Sequence, residues 1–273
     1  MSDDLPPDAV RVLTDQGPAL VAREEPLLIE VAEQSVLTVR TPGGDDELAV
    51  GFLLAEGILD GAGDVARVEL LPRGAAAAVD VARVELRPGR ELDRLARQRL
   101  SRAHAIRPSC GLCGTTSPEG LTRGLAALRP GAPRVSLHAL ERMARRMRAL
   151  QPLFAATGGS HAAAVFAATD PETPWVVRED VGRHNALDKA LGRAALDGRD
   201  LTQAVVVLSG RGGFELVLKA LRLGVPVLAS VGAPTSLAVE LAEERGQTLV
   251  GFLRGAAAGP RVYSDEGRLS AGP

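Results

Sequence analysis

From Ala162 onward short apolar runs alternate with amphipathic stretches, and this alternation restricts the fold more than any other feature of the chain. Ala162 to Phe166, Trp175 to Arg178, Ala204 to Leu208, Val225 to Ser230 and Thr248 to Leu253 read as strands, with helices opening at Val181, Phe214 and Ser236. Short valine-rich runs bounded by turn residues suit strands buried on both faces. Strands separated by helices argue a largely parallel sheet covered by helices and joined by right-handed crossovers. In such a sheet the ligand crevice lies outside the carboxyl ends of the strands.

Glycine-rich turns fall at or close to those ends. Ser209-Gly210-Arg211-Gly212-Gly213 links a strand to a helix, so its backbone N–H groups can hold a phosphate while Arg211 supplies a fork of donors. The turn lacks the Gly-Lys-Ser/Thr of a P-loop, and Glu215 stands where a dinucleotide fingerprint has its third glycine. An ordinary tight turn is the competing reading. Thr157-Gly158-Gly159-Ser160-His161, Gly232-Ala233-Pro234-Thr235-Ser236 and Gly251-Phe252-Leu253-Arg254-Gly255 repeat the pattern, and together the turns favour a phosphate-bearing ligand.

In the segment Glu179 to Lys189, the residues Leu187, Ala190, Leu191 and Ala194 make an apolar stripe that leaves Asn185, Asp188 and Lys189 on the opposite face. That face is either solvated or part of a pocket, and His184 beside it serves as base or as ligand. Composition sharpens the question. Lys189 and Lys219 are the only lysines and Asn185 the only asparagine, in a chain rich in Ala, Gly and Arg as expected of a GC-rich coding sequence. Residues that resist such drift are expected to be retained for a role, which places Asn185 and Lys189 in the ligand pocket or on the path between it and the cysteine loop.

The first half reads differently. Leu27 to Gln34 and Val36 to Arg40 are strand-like, and Asp45 or Asp46 is positioned to cap a helix through Leu48, Phe52 and Ala55 that Gly57 closes. Asp64 to Leu70 recurs almost unchanged as Asp80 to Leu86, a hairpin rather than a solenoid. Glu91 to His104 is an arginine-rich helix. A boundary follows near Arg129-Pro130-Gly131-Ala132-Pro133, beyond which Leu137, Leu140, Met143, Ala144, Met147 and Leu150 fall at helical spacing. The expectation is an α/β chain, α+β overall, with a smaller β-rich domain over 1–130 and an α/β cofactor-binding domain over 131–273. A length of 273 residues fits about two domains.

The only two cysteines, Cys110 and Cys113, lie in Ser109-Cys110-Gly111-Leu112-Cys113-Gly114 at the end of the first region. Arg102, His104 and Arg107 precede them, a setting that favours thiolate over a thiol of ordinary pKa near 8.5. A structural zinc site needs four ligands and no second pair is present, so no metal is expected. A disulfide closing so short a loop would add little stability. Sulfur or redox chemistry remains, with persulfide carriage ahead of dithiol oxidation.

A formal net charge of −2 argues against nucleic-acid binding. The first ten residues are acidic and proline-bearing, and no run of eighteen apolar residues occurs, so neither export signal nor membrane span is expected and the cytoplasm is the expected location.

Taken together, Phe52 to Gly57, Ser109 to Gly114, Thr157 to His161, Glu179 to Lys189, Ser209 to Glu215 and Gly251 to Gly255 resemble the FdhD family of formate dehydrogenase accessory sulfurtransferases. The resemblance implies a carrier that takes persulfide sulfur from a cysteine desulfurase and passes it to the molybdenum cofactor, bis-molybdopterin guanine dinucleotide, before its insertion into formate dehydrogenase. It implies a persulfide on Cys110 with Cys113 assisting, cofactor contact by Phe252, Leu253, Arg254, Gly255, Ala256 and Ala257, and a homodimer. It also implies a three-layer C-terminal domain similar to the cytidine deaminase fold. Deamination itself is excluded, because the second half has no cysteine to hold zinc. The guanine nucleotide end, a GDP-like moiety, brings phosphates for the glycine turns and a flat base for which Phe252 is the candidate stacking ring. The competing functions are a dithiol oxidoreductase and a non-catalytic guanine-nucleotide-binding regulator.

Overall fold

The alternating second half forms a six-stranded sheet in this computed structural model, which describes residues 6–74, 78–105, 122, 124–253 and 259–271, with the backbone alone for 102–105. The strands are β8 (His161–Ala167), β9 (Val176–Asp180), β10 (Ala204–Leu208), β11 (Val227–Ser230), β12 (Thr248–Gly251) and β13 (Arg261–Ser264), in the order β13-β12-β11-β10-β8-β9. The helices are α3 (Leu137–Ala149), α4 (Pro152–Thr157), α5 (Arg183–Leu196), α6 (Phe214–Arg222) and α7 (Ser236–Arg245). Preceding them are α1 (Asp45–Ala55) and α2 (Arg94–Ala105), and the short strands β7 (Val135–Ser136) and β14 (Leu269–Ser270) pair in parallel outside the sheet.

The expected largely parallel sheet is mixed. β10, β11 and β12 pair in parallel, but β8 is antiparallel to both of its neighbours, and β13 is antiparallel to β12. The reason is in the connections. β8 reaches β9 without an intervening helix, so the pair closes as an antiparallel ribbon, whereas helix crossovers from β9 through β12 keep those four strands running one way.

Strand alternation builds two cores. Val206, Leu208, Leu228 and Leu249 meet α5, α6 and α7 on one face, while Val205, Val207, Val227 and Val250 meet Leu140, Met143 and Met147 of α3 on the other. Helices therefore cover both faces of the sheet, and each fully buried Leu or Val contributes roughly 1.5–3 kcal/mol. Of the stripe expected on α3, Leu150 is exposed and the central residues are buried.

In the first half β1 (Ala9–Thr14) and β2 (Gly17–Ala22) form a hairpin, and a second sheet runs β4 (Gln34–Arg40), β3 (Glu25–Val31), β6 (Asp80–Leu86), β5 (Val65–Leu71). The near-repeat becomes the antiparallel pair β5–β6, which sets Arg67 of the first copy on Glu85 of the second at 2.8 Å and Arg83 near Glu69. The cap expected from Asp45 or Asp46 is not made: Gly44 occupies the N-cap, and Asp45 turns instead to the buried Arg40, 2.7 Å away. Arg40 also reaches Asp80 at 2.8 Å, and the two carboxylates outweigh burial to hold its guanidinium charged. The helix does end at Gly57, whose φ of +65° only glycine adopts freely.

The two sheets are joined where α1 crosses α5. A β-carbon at Gly51 would lie 1.8 Å from the Asp188 carbonyl oxygen, and one at Gly192 would lie 2.0 Å from that of Glu47. Charged side chains flank this backbone contact. Glu47 binds Arg178, and the buried Lys219 bridges Asp188 at 2.8 Å and Glu56 at 3.1 Å. Burial works against the Lys219 charge, yet the two carboxylates hold its pKa above the ordinary lysine value.

Candidate functional site

Because β9 to β12 run the same way, their carboxyl ends open on one edge, joined there by the first residue of β8. Three helices begin at that edge: α5 after Gly182, α6 after Gly213 and α7 after Thr235, none with a side-chain cap. Their first N–H groups lack intrahelical partners and carry the positive end of the helix dipole. The edge is thus preset for an anion.

The glycine turns interlock there. Val231 N–H donates to Leu208, Gly232 N–H to Gly210, and Phe252 N–H to Gly232. A β-carbon on Gly232 would come within 3.0 Å of the Gly210 oxygen, so glycine is what lets the second turn pack on the first. Gly212 is buried against the Ser230 side chain, whose Oγ lies 3.3 Å from where a β-carbon would stand. Arg211 and Arg183 are exposed on this edge, and among the described residues neither has an ion-pair partner.

Two histidines face the same region. His184 Nε2 lies 2.8 Å from the Glu215 carboxylate, and that hydrogen bond holds Glu215 below its ordinary range despite burial. Burial pushes His161 below its ordinary value, and Arg183, His184 and Arg211 push the same way, so its imidazole is neutral at pH 7. A neutral ring both donates and accepts.

A cavity of about 360 Å³ opens beside this edge, bordered by Gln151 and Phe154 of the α4 entry, the Gly158 to His161 turn, and Ser209. Glu179 fixes its wall by accepting hydrogen bonds from the N–H groups of Leu153 and Phe154 and from the Ser160 hydroxyl, all within 2.9 Å. Ser209 Oγ accepts from Ala162 N–H at 2.8 Å.

Of the residues expected at the site, Ser209, Gly210, Arg211, Gly212 and His184 come together on this edge. Phe252 joins them with a half-buried ring, an Arg261 guanidinium 5.2 Å away and a φ of +58°. Leu253 does not: its side chain is in the core, and its N–H is bound to Ser230. Arg254, Gly255, Ala256, Ala257, Cys110 and Cys113 lie outside the described residues.

The expectation for Asn185 and Lys189 needs correction. Lys189 is buried, with its ammonium 2.7 Å from the Asp180 carboxylate and donating to the Thr41 carbonyl at 2.7 Å. Asn185 donates to the Val39 carbonyl and to Asp180. Both reach across to the corner between β4 and α1 and not into the cavity, because the helix face opposite the apolar stripe is covered by the other sheet. The residues that sequence reasoning left out of the site, Phe154, Ser160 and His161, surround the cavity. For Ser160 and His161 the signal was the Thr157 to His161 turn, read as phosphate-binding rather than as a cavity wall; Phe154, before that turn, carried none.

A sequence profile described as the FdhD/NarQ family matches residues 22–270. The chain belongs to the FdhD/NarQ family. A relative named "Sulfur carrier protein FdhD" from Streptomyces avermitilis is 42% identical over 93% of this chain and 90% of its own. One of the same name from Mycolicibacterium paratuberculosis is 44% identical over 87% of this chain and 88% of its own. The fold is similar to the crystal structure of a protein described as a formate dehydrogenase accessory protein from Desulfotalea psychrophila, with a TM-score of 0.69 and 24% identity over 96% of this chain and 98% of the other. Among the described residues of this FdhD/NarQ chain no helix is long and apolar enough to cross a membrane, and no group of three or more His, Cys, Asp or Glu side chains is placed to hold a metal ion.

Proposed function

We propose that this protein is a sulfur carrier accessory to formate dehydrogenase, which accepts sulfane sulfur from a cysteine desulfurase and delivers it to bis-molybdopterin guanine dinucleotide. Family membership, with the paired cysteines of Ser109 to Gly114, carries this reading. A desulfurase persulfide gives up its terminal sulfur to the Cys110 thiolate, leaving the desulfurase thiolate and a Cys110 persulfide, which Cys113 helps discharge. The carrier works as a cytoplasmic homodimer, and its six-stranded domain is a deaminase-like scaffold turned to cofactor binding. The cleft supports the second half of the reading: three helix N-termini without side-chain caps open on this edge, with Arg211 in a glycine turn and Arg183 at the start of α5, both without an ion-pair partner among the described residues, and there the nucleotide phosphates of the cofactor would bind.

Intact mass spectrometry after incubation with a desulfurase and cysteine tests the first step. The protein should gain one sulfur, about 32 Da, and Cys110→Ala should not; an adduct confined to Cys113 would reassign the carrier residue. Dithiol cycling without an adduct would make the protein an oxidoreductase.

Calorimetry with GDP tests the cleft. Arg211→Ala should weaken binding by roughly 10- to 150-fold, as expected for a charge-assisted hydrogen bond of about 1.5–3 kcal/mol. Affinity equal to that of the parent would remove Arg211 from the site.

A further inference from the structure

We infer, on the reading that Cys110 takes its sulfur from a protein persulfide, that the exposed face of α2 is where that donor docks and that the donor meets it with carboxylates.

Leu92, Ala96 and Leu100 set α2 into the core of the first sheet, and Arg99 donates to the Gly57 carbonyl at 2.7 Å, so the helix is fixed along its inner side. Arg94, Arg97, Gln98 and Ser101 fall at helical spacing on the opposite, exposed face. Arg97 lies about 12 Å from the end of the helix at a rise of about 1.5 Å per residue. Cys110 follows Ala105, where α2 ends, by five positions, and that length of chain spans at most about 18 Å. Sulfur passes only when the attacking thiolate touches the donor's persulfide. A protein that delivers it therefore comes to rest beside this helix.

The charge of the face says what kind of surface it receives. Around the first sheet exposed arginines are neutralised where they stand: Arg67 by Glu85, Arg83 by Glu30 and Arg73 by Glu25, while Arg90, just before α2, pairs with Asp60 and Asp64. Arg94 and Arg97 have no carboxylate partner among the described residues. Arg97 donates to the Leu92 carbonyl at 3.0 Å, and the carboxylate that opens the helix, Asp93, accepts the Ala96 N–H at 2.7 Å as its cap. The two arginines stand one turn apart, where like charges repel, and at the start of a helix, where a cation opposes the dipole. Glutamate would suit the helix better. Two uncompensated guanidiniums on a fixed face attract an acidic surface and can hold its carboxylates by charge-assisted hydrogen bonds. On a chain of net charge −2 they are too few for nucleic acid.

The rate of sulfur transfer from a cysteine desulfurase, followed by intact mass on the full chain, tests the surface. Arg94→Glu combined with Arg97→Glu should lower the second-order rate constant by at least about 10-fold at low ionic strength, within the range of electrostatic steering. The deficit should close at about 1 M salt, where the Debye length falls to about 3 Å. Arg94→Lys with Arg97→Lys, which keeps both charges, should transfer at the parent's rate. So should Arg145→Glu with Arg146→Glu, an equal change of charge on exposed positions of α3, across the six-stranded sheet. Alkylation by iodoacetamide, an uncharged probe of the thiolate, and the urea midpoint should match the parent in every variant. A parental transfer rate in the Arg94→Glu, Arg97→Glu protein overturns the inference. So does a loss equalled by the α3 variant, or one that comes with slower alkylation, which would place the effect on Cys110 itself. If the parent takes no sulfur from the desulfurase at any salt concentration, the carrier reading falls, and the docking surface with it.

Discussion

Gly192→Ala should not accumulate as a folded protein. The added methyl would stand 2.0 Å from the Glu47 carbonyl oxygen and 2.7 Å from the Gly51 nitrogen, both backbone atoms of a helix that cannot swing aside as a side chain can. Overpacking of side chains costs roughly 1–3 kcal/mol. Here α1 and α5 must separate, which also pulls apart Lys219 and Glu56, so the loss should reach the exceptional range above about 4–5 kcal/mol. Gly51→Ala should behave alike, its methyl facing the Asp188 carbonyl at 1.8 Å. Gly63→Ala is the control: nothing lies within 4 Å of the added carbon, and its stability should stay within about 0.5 kcal/mol of the parent. Urea unfolding followed by circular dichroism would decide, and a Gly192→Ala protein with the parent's midpoint would mean the helices cross at a wider spacing.

Lys189→Met should lose about 3–5 kcal/mol at neutral pH, because it leaves the fully buried Asp180 carboxylate without its cation. The loss should depend on pH in a definite sense. Burial raises the Asp180 carboxyl above its ordinary value even with Lys189, Asn185 and the Gly182 N–H opposing. A carboxyl raised in the folded state binds its proton more readily folded than unfolded, so acidification through that raised value favours the fold. Without Lys189 the value rises further, and the deficit relative to the parent should shrink as pH falls from 7 toward 5. Asp180→Asn combined with Lys189→Met should recover part of the loss, since no charge is then buried alone. A deficit that grows on acidification would show that Asp180 is not the group left exposed to the cost.

Much of this was legible from residue order. Ala204–Leu208 is buried on both faces and so reads as a continuous apolar run, and the near-repeat at Asp64 and Asp80 announces its own pairing through complementary Arg and Glu positions. The glycine turns were legible because close approach of main chains demands glycine at Gly232, where an added β-carbon would meet the Gly210 oxygen and the Arg211 backbone. What was not legible depended on partners far along the chain. Nothing near Lys189 shows that Thr41 will accept its hydrogen bond, so a buried cation looked like a candidate pocket residue. Phe154 gave no sign of its role either: the wall that fixes it is made by Glu179 from β9, a strand whose neighbour runs opposite to the direction expected. The orientation of β8 follows from a connection too short for a helix, a property of length and not of any residue in the strand.

The reach between Thr41 and Lys189, 148 positions apart, also sets a timetable for the ribosome. At about 5–20 residues per second, synthesis needs roughly 7–30 s to travel from one to the other. Within that interval the strands of the first sheet are completed at Leu86, but α1 has no helix to cross, and Glu47 and Glu56 await arginine and lysine partners made later. The cysteine segment leaves the ribosome inside the same window. A nascent chain interrupted before α5 would therefore present a half-covered sheet, a species that chaperones must shield and proteases can find.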